Sequence, residues 1–350
     1  MNIQKLEKIL KENEQPKYRL EQIKKAIYKD GVCSFSEIKN IPKDLRELLD
    51  KEIQILSFKQ ENLLISKDNK SFKALLRLKD DNFIETVLIS PKPGLWSVCV
   101  SSQAGCALAC EFCATGKMGL KRNLTSEEIT DQILFWRQYL GNIRNSKLEI
   151  RDSNIAISNI VLMGMGEPFL NWENVEQALL DLINEDLFGF GSRSISVSTS
   201  GVMDKVEDFA KEFSQINLAI SLHFANNKKR SQYMPINKEY DLEKIKQGIE
   251  NYFQITKRKI FIEYLLLKDI NDTEKDVEEL LKYLKSIQNN YLLHVNLIRY
   301  NSTDSKLKAS DYNKVQGIKN FLIKNKISTT IRKSLGSEIQ AACGQLTQNK

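Results

Sequence analysis

Three closely spaced cysteines are the residues of this chain best suited to chemistry. Cys106, Cys110 and Cys113 have the spacing Cys-x3-Cys-x2-Cys. Thiolates are soft ligands that suit iron–sulfur clusters or zinc. A structural zinc site takes four ligands, and neither His223 nor His294 lies near these cysteines in sequence. Because three thiolates on a four-iron cluster leave one iron open to a substrate, the spacing favours such a cluster over zinc.

Further polar motifs follow apolar runs. The segment Met163-Gly164-Met165-Gly166-Glu167-Pro168 contains glycines, which permit close backbone approach to a ligand. A dinucleotide-binding loop is the alternative, but the third glycine of that fingerprint would fall at Phe169. Ser198-Thr199-Ser200-Gly201 and Ser221-Leu222-His223 each end a predicted strand, where their side chains can reach a bound cofactor. Taken alone, either motif is more often a helix N-cap or a turn.

The elements that must position these residues change along the chain. Residues 3 to about 50 show helical periodicity, and residues 52–101 contain short apolar runs typical of strands, at 53–56, 74–78, 86–89 and 97–100. A capping box of Thr125 and Glu128 predicts the start of a helix. Strands are then predicted at 160–163, 194–198, 218–222, 259–266, 294–298 and 328–332. Strands that alternate with amphipathic helices indicate a parallel sheet, closed or partly closed into a barrel, with its chemistry at the C-terminal strand ends.

Composition restricts the class of protein. The chain has 350 residues, of which 41% are hydrophobic and 28% charged, which is enough for a buried core. Its six cysteines are too few and too unevenly placed for a secreted disulfide framework. A charged N-terminal segment and the lack of a long apolar stretch predict a cytoplasmic protein with no membrane association. The net charge of +7 fits RNA binding and a lysine-rich genomic composition equally well.

The cysteine motif, with Phe112 just before its third cysteine, resembles that of the radical S-adenosylmethionine (SAM) superfamily. Over nearly the whole chain the sequence is similar to the RlmN/Cfr family, through the runs 99–106, 163–168, 198–201, 234–237, 295–298 and 341–346. Members of that family methylate a ring carbon of an adenine in 23S ribosomal RNA. The RlmN branch also modifies the adenine 3′ to the anticodon of some transfer RNAs.

The resemblance implies an α/β fold, a radical SAM partial (β/α)6 barrel with a small N-terminal helical domain and a β extension. The expected parts are an RNA-binding accessory domain at 1–50, the β extension at 51–95, the barrel at 96–335 and a tail carrying a methyl-carrier cysteine at 336–350. It also implies one 4Fe-4S cluster held by Cys106, Cys110 and Cys113, and two SAM molecules per turnover. The residues expected to bind SAM are Gly166, Glu167, Ser198, Ser221, Leu222, His223 and Asn301.

Three further residues receive catalytic roles from the resemblance. Cys343 takes a methyl group from one SAM molecule, and a deoxyadenosyl radical made from a second SAM abstracts hydrogen from that methyl group. The resulting methylene radical adds to the adenine. Cys99 forms a disulfide with Cys343 as the product leaves, and Glu85 accepts the proton from the adenine carbon. Each has a plainer reading, since a solitary cysteine is often a small buried hydrophobe and Glu85 could face solvent.

The expected partners are 23S rRNA, tRNA and an electron donor such as flavodoxin or ferredoxin, with the protein acting as a monomer. Basic segments at 17–29, 117–122 and 228–230 are candidates for phosphate contacts. Pro168 resembles the branch that methylates C2 of adenine, whereas residues 294–301 are closer to the branch that methylates C8 and confers antibiotic resistance. We favour C2. Rivals of another class are a non-catalytic iron–sulfur RNA-binding protein and a radical enzyme acting on a protein or small molecule, although the latter leaves the Cys99/Cys343 pair without an obvious use.

Overall fold

The N-terminal part of the chain is helical. The structure is a computed structural model that describes residues 1–145, 156–303 and 306–347. It begins with α1 (Ile3–Glu12), α2 (Tyr18–Lys24), which continues as a π-helical segment to Lys29, and α3 (Lys43–Glu52). The apolar positions of α1 and α3 are buried, and they belong to the same continuous hydrophobic core as the rest of the molecule.

An antiparallel segment of four strands follows: β1 (Phe58–Ile65), β2 (Ser71–Leu78), β3 (Phe83–Lys92) and β4 (Leu95–Cys99). Both faces of β2 and most of β3 are buried, which explains their nearly continuous apolar sequence. The strand predicted at 53–56 is wrong. That segment is a bend leaving α3, and it is apolar because Ile53 and Ile55 pack in the core.

Between β4 and the next long helix lies a loop region that carries the three clustered cysteines. It contains β5 (Gln103–Gly105), the short helix α4 (Ala114–Lys117) and β6 (Leu120–Asn123), with β5 and β6 paired antiparallel. Helix α5 (Ser126–Asn145) then begins at the predicted capping box: Glu128 N donates to Thr125 Oγ1 at 3.2 Å, and Thr125 N donates to Glu128 Oε2 at 3.0 Å.

Strands and helices alternate from here to the tail. In chain order the elements are β7 (Ile157–Leu162), α6 (Trp172–Ile183), β8 (Ile195–Thr199), α7 (Val206–Glu212), β9 (Asn217–Ser221), α8 (Asn227–Tyr233), α9 (Leu242–Thr256), β10 (Ile260–Leu266), α10 (Glu274–Ser286), β11 (Leu293–Arg299), α11 (Tyr312–Lys324) and β12 (Ser328–Arg332). The six strands predicted from residue 160 onward are thereby confirmed, within a residue or a few at their ends.

The long strands form one sheet in the order β1-β2-β3-β4-β7-β8-β9-β10-β11-β12. From β4 to β12 all neighbours are parallel. Within the described residues β1 and β12 do not pair, so the barrel is partial, as predicted. Parallel pairing brings the C-terminal ends of these strands to one edge, and the loops that follow them face a common space.

The division into four parts at 50, 95 and 335 stays a prediction. Residues 348–350 of the predicted tail, and residues 146–155 and 304–305 of the predicted barrel, lie outside the described residues. Among the helices described, none combines the length and the apolar character that crossing a bilayer requires.

Candidate active site

The three clustered cysteines line one cavity at the C-terminal edge of the parallel strands. The cavity has a volume of about 160 Å³, and its wall includes Cys106, Cys110 and Cys113. Two backbone contacts fix their loop, since Cys106 N donates to Gly119 O at 3.1 Å and Cys113 N donates to Cys110 O at 3.1 Å. Burial raises the pKa of Cys106 to about 12 and also raises the pKa values of Cys110 and Cys113.

These thiols fit a cluster better than a single ion. Cys106, Cys110 and Cys113 all line the same cavity. Nevertheless, within residues 1–145, 156–303 and 306–347, no three His, Cys, Asp or Glu side chains converge as ligands of one metal ion. A zinc ion binds sulfur at about 2.3 Å and needs close convergence. A four-iron cluster binds each thiolate through a different iron, so it does not require the three sulfurs to converge on one ion.

The glycines of the Met163–Pro168 motif allow close packing of the backbone. A Cβ on Gly164 would lie 2.7 Å from the backbone carbonyl of Val100, and one on Gly166 would lie 2.5 Å from Gln103 Cβ. The residue Gly166 also has φ +99°, which side chains rarely allow. These glycines let the loop after β7 pack against the segment that leads into the cysteine motif, and both also line the cavity, so the close approach of a ligand stays a prediction.

Glu167 is buried in the cavity wall at 2% exposure. Its Oε2 accepts a hydrogen bond from Ser200 N at 2.7 Å, and its Oε1 accepts one from Phe169 N at 3.2 Å. Burial raises the pKa of this carboxyl, and the hydrogen bond from Ser200 opposes the shift. Among the residues that the structure describes, no cation pairs with this carboxylate, and an ammonium group in the cavity would supply such a partner.

His223 faces the cavity in a fixed orientation. Its φ is +56°, and its Nδ1 accepts a hydrogen bond from Leu265 N at 3.1 Å. The ring meets Phe112 edge-on at 5.0 Å between centroids. Burial, together with nearby Arg230, lowers the pKa of His223 to about 3. The imidazole is therefore neutral at pH 7, and because Nδ1 is the acceptor, Nε2 carries the proton.

The remaining residues predicted to bind a cofactor divide into two groups. Gly166, Ser198 and Ser221 line the cavity, and the two serine hydroxyls lie 3.3 Å apart on neighbouring strand ends. Leu222 is fully buried behind the wall. Asn301 does not line the cavity; its Nδ2 donates to the backbone carbonyl of Cys343 at 3.3 Å. Its observed contact is therefore with the C-terminal tail.

The tail docks at the cavity and brings the two isolated cysteines together. Cys343 is exposed and lines the main cavity; with Cys99 it also lines an adjoining space of about 70 Å³. The Gly344 carbonyl accepts a hydrogen bond from Ala114 N at 2.8 Å, and Thr115 Oγ1 donates to Leu346 O at 2.7 Å. Burial and the nearby Cys343 sulfur raise the pKa of Cys99 to about 12.

Two charged residues of this site were not among those predicted: Glu263, in the middle of β10, and Arg332, at the end of β12. Both line the main cavity, and their side chains pair at 3.3 Å. The proximity of Cys343, followed by that of Glu263, raises the pKa of Arg332. A charged side chain within an apolar parallel strand, or at its end, was the available signal.

Glu85 lies beside the tail, outside the cavity walls. It is 1% exposed and forms an ion pair with Lys73 at 2.9 Å. Its second oxygen accepts a hydrogen bond from Thr347 N at 2.8 Å. Glu85 is therefore neither solvent-facing nor unpartnered, and it is linked to the segment that carries Cys343.

Two basic residues expected to contact phosphates are engaged elsewhere. Arg230 is fully buried and donates to Ser200 O at 2.6 Å and to Leu222 O at 3.2 Å, so it supports the loops after β8 and β9. The guanidinium of Arg122 pairs with Asp80 and, at 2.7 Å, with Glu128. The expectation of a phosphate contact is wrong for Arg230.

Comparisons with known proteins cover the whole chain. The profile of the Radical SAM superfamily matches residues 100–284, and that of the Ribosomal RNA large subunit methyltransferase N-terminal domain matches residues 1–55. A Malacoplasma penetrans protein named probable dual-specificity RNA methyltransferase RlmN is 40% identical, covering 99% of this chain and 95% of the relative. A Bacillus velezensis protein named ribosomal RNA large subunit methyltransferase Cfr is 37% identical, covering 99% and 96%.

A solved structure has the same fold throughout. The radical SAM methyltransferase from Sphaerobacter thermophilus superposes with a TM-score of 0.90 at 34% identity, covering 100% of this chain and 98% of that one.

Proposed function

Because the chain belongs to the RlmN/Cfr family of radical SAM RNA methyltransferases, we propose that it methylates C2 of an adenine in 23S rRNA and of the adenine 3′ to the anticodon in tRNA. One observation carries this proposal. A single cavity joins the three clustered cysteines, the polar ends of β8 and β9, and Cys343 of the tail. A cluster, a sulfonium cofactor and a methyl acceptor would thus meet in one place.

The cofactors follow from the family and from the fit of the cavity. Cys106, Cys110 and Cys113 would hold one 4Fe-4S cluster, and Glu167 would bind the amino group of SAM. When bound, these groups supply the methyl group and the radical chemistry, with two SAM molecules used per turnover. Ser198, Ser221 and Gly166 contribute the polar wall, and the Nε2 proton of His223 is available as a hydrogen-bond donor. Leu222 and Asn301 do not line the cavity. Leu222 would support the cavity wall at the end of β9, and Asn301 would act through its hydrogen bond to the tail.

Cys343 is the proposed methyl carrier. It is exposed at the cavity mouth, as a nucleophile that must first accept a methyl group and then present it to a base requires. The hydrogen bonds from Ala114 N to Gly344 O and from Asn301 Nδ2 to Cys343 O hold the tail in the cavity. Ala341, Ala342 and Leu346 are also buried, so the tail must give up these packing contacts to move away.

Cys99 is proposed to release the product by forming a disulfide with Cys343. The two residues line the same small cavity, and their sulfurs are close enough to influence each other electrostatically. In this step a sulfur–sulfur bond forms while the bond from the Cys343 sulfur to the transferred carbon breaks, and that carbon keeps the electron pair. A reductant must then restore both thiols.

Glu85 is proposed to accept the proton that the adenine carbon loses. The proposal is supported by the hydrogen bond that its carboxylate accepts from Thr347 N, four residues beyond Cys343 in the tail.

The proposed partners are 23S rRNA, tRNA and a one-electron donor of the flavodoxin or ferredoxin class. We further propose that the protein acts as a monomer in the cytoplasm. Chemistry on a ring carbon requires access to the base, so the target adenine must leave its stack.

A second candidate is methylation of C8 on the same rRNA adenine. The 37% identity to a protein named Cfr favours it nearly as much as the 40% identity to one named RlmN favours C2. We favour C2 because Pro168 begins the short helical turn that continues the Gly166-Glu167 motif, in the pattern of the C2 branch.

The test begins with protein reconstituted anaerobically with iron and sulfide. We expect release of deoxyadenosine and a methyl mark on Cys343 by intact-protein mass spectrometry. Nucleoside mass spectrometry of treated 23S rRNA and tRNA transcripts should then show 2-methyladenosine. The variant Cys343→Ala should form none, whereas Cys33→Ala, which alters an exposed cysteine away from the cavity, should match the unmodified protein.

Other outcomes would assign other functions. Formation of 8-methyladenosine would select the second candidate. A bound cluster without deoxyadenosine release would indicate a non-catalytic RNA-binding protein. Protein that binds no iron under these conditions would contradict the proposal altogether.

A further inference from the structure

Lys73 and Glu85 form a buried ion pair on neighbouring antiparallel strands. In the register of β2 and β3, Leu75 lies opposite Glu85 and Lys73 opposite Val87, so the two side chains are diagonal neighbours on one face. Only 6% of the Lys73 side chain and 1% of the Glu85 side chain are exposed. The distance from Lys73 Nζ to Glu85 Oε1 is 2.9 Å.

Such a pair is a poor device for stability. Removing two charges from water costs several kcal/mol per ion, which their attraction repays only in part, and apolar replacements are often neutral or stabilising. Lysine is almost never fully buried unless it is paired. The pair therefore points to a use for the negative charge on Glu85, and Lys73 makes that charge tolerable in a dry site.

The two carboxylate oxygens of Glu85 have different partners. Lys73 holds Oε1, while Oε2 accepts a hydrogen bond from the backbone amide of Thr347 in the tail at 2.8 Å. The other contacts of Glu85 are uncharged: its N–H donates to Met165 Sδ at 3.2 Å, and its carbonyl accepts from Ser101 Oγ at 2.6 Å. Displacement of the tail exposes Oε2 and leaves Oε1 bound.

We propose that Lys73 is the positioning residue for the proton acceptor: it fixes Oε1 of Glu85 and supplies the compensating charge, so that Oε2 receives the proton once the amide of Thr347 moves away. This inference rests on the proposed function. In the step itself, the C–H bond of the adenine carbon bearing the transferred group breaks and an O–H bond forms on Glu85. The electron pair stays on the ring, and no oxidant or reductant takes part.

The sign of the pH effect follows from the surroundings of Glu85. Burial raises the pKa of Glu85, and the charge and hydrogen bond of Lys73 oppose that rise. Without Lys73 the carboxyl becomes protonated at a higher pH. The acid limb of the proton-transfer step must then move to higher pH, and activity should recover as the pH is raised.

The experiment uses the reconstituted full chain with Lys73→Met, Lys73→Arg and the matched exposed-lysine control Lys59→Met, which alters the neighbouring strand β1. General-base catalysis contributes about 10²- to 10⁴-fold, so Lys73→Met should form methyladenosine at least about 10²-fold more slowly and accumulate the covalent protein–RNA adduct. Methylation of Cys343 and deoxyadenosine release should be unchanged. Lys73→Arg should restore much of the rate, and Lys59→Met should match the unmodified chain.

A double-mutant cycle separates this role from a merely structural one. In the Glu85→Gln background, Lys73→Met should cause no further loss, because Lys73 acts through Glu85. A wild-type rate and pH profile in Lys73→Met would overturn the inference. So would an additional loss in the Glu85→Gln background, or loss of Cys343 methylation in both Lys73→Met and Lys73→Arg. Failure of the unmodified chain to methylate RNA would instead contradict the proposed function.

Discussion

Replacing Glu167 by glutamine should weaken SAM binding while leaving the fold almost intact. The carboxylate accepts hydrogen bonds from two backbone amides, Ser200 N at 2.7 Å and Phe169 N at 3.2 Å. Glutamine offers one acceptor oxygen and one NH₂ group, so one of these amides would face another donor. An unsatisfied buried donor costs about 1–3 kcal/mol. The loss is offset because the burial that raises the pKa of Glu167 no longer acts on a charge.

The effect on the cofactor has no such compensation. A hydrogen bond to a charged group contributes about 1.5–3 kcal/mol and a neutral one about 0.5–1.5 kcal/mol, so the neutral side chain loses about 1–1.5 kcal/mol. Since about 1.4 kcal/mol corresponds to a tenfold change in affinity, the dissociation constant for SAM should rise about fivefold to tenfold.

The assay is equilibrium binding of radiolabelled SAM to anaerobically reconstituted protein, compared at equal iron content per chain. Glu173→Gln is the control, because Glu173 is an exposed carboxylate in the first turn of α6, close to Glu167 in sequence. An unchanged dissociation constant in Glu167→Gln, at full iron content, would refute the role of this carboxylate. A similar loss of affinity in Glu173→Gln would refute the electrostatic reasoning.

Three more predictions concern the same site. The pKa of His223 is lowered to about 3, so between that pH and the ordinary histidine range the folded protein binds fewer protons than the unfolded chain. The unfolding free energy should therefore fall as the pH falls through this interval. The variant His223→Asn, in which asparagine tolerates the positive φ, should remove that part of the pH dependence in urea titrations. Cys99→Ala should leave Cys343 methylation unchanged and accumulate a covalent protein–RNA adduct, visible as a shifted band on a denaturing gel, and free product at the normal rate would contradict its role. Gly164→Ala should lower the urea midpoint of unfolding, because overpacking costs about 1–3 kcal/mol. Gly141→Ala in helix α5, where an added Cβ meets nothing within 4 Å, should raise the midpoint by an amount equivalent to about 0.5–1 kcal/mol. Equal midpoints for the two variants would show that the loop around Gly164 adjusts freely.

The sequence by itself determined the features that depend on neighbouring residues. The three cysteines lie within one loop, so their spacing alone predicts a shared site, and the cavity that they line agrees with it. The alternation of apolar strands with amphipathic helices predicted the parallel partial barrel, because side-chain periodicity reports secondary structure directly. The apolar pattern at residues 53–56 predicted a strand wrongly, because Ile53 and Ile55 are apolar in order to pack in the core and the segment is a bend.

Only the tertiary structure decided which distant residues meet. Strand register brings Lys73 to Glu85, and the docking of the tail adds Thr347 to the same carboxylate. The order of strands places Arg332 beside Cys343, and the packing of α8 buries Arg230, which its sequence context had suggested as a phosphate contact. Such contacts depend on register and on loop paths over long sequence separations, which local propensity does not encode.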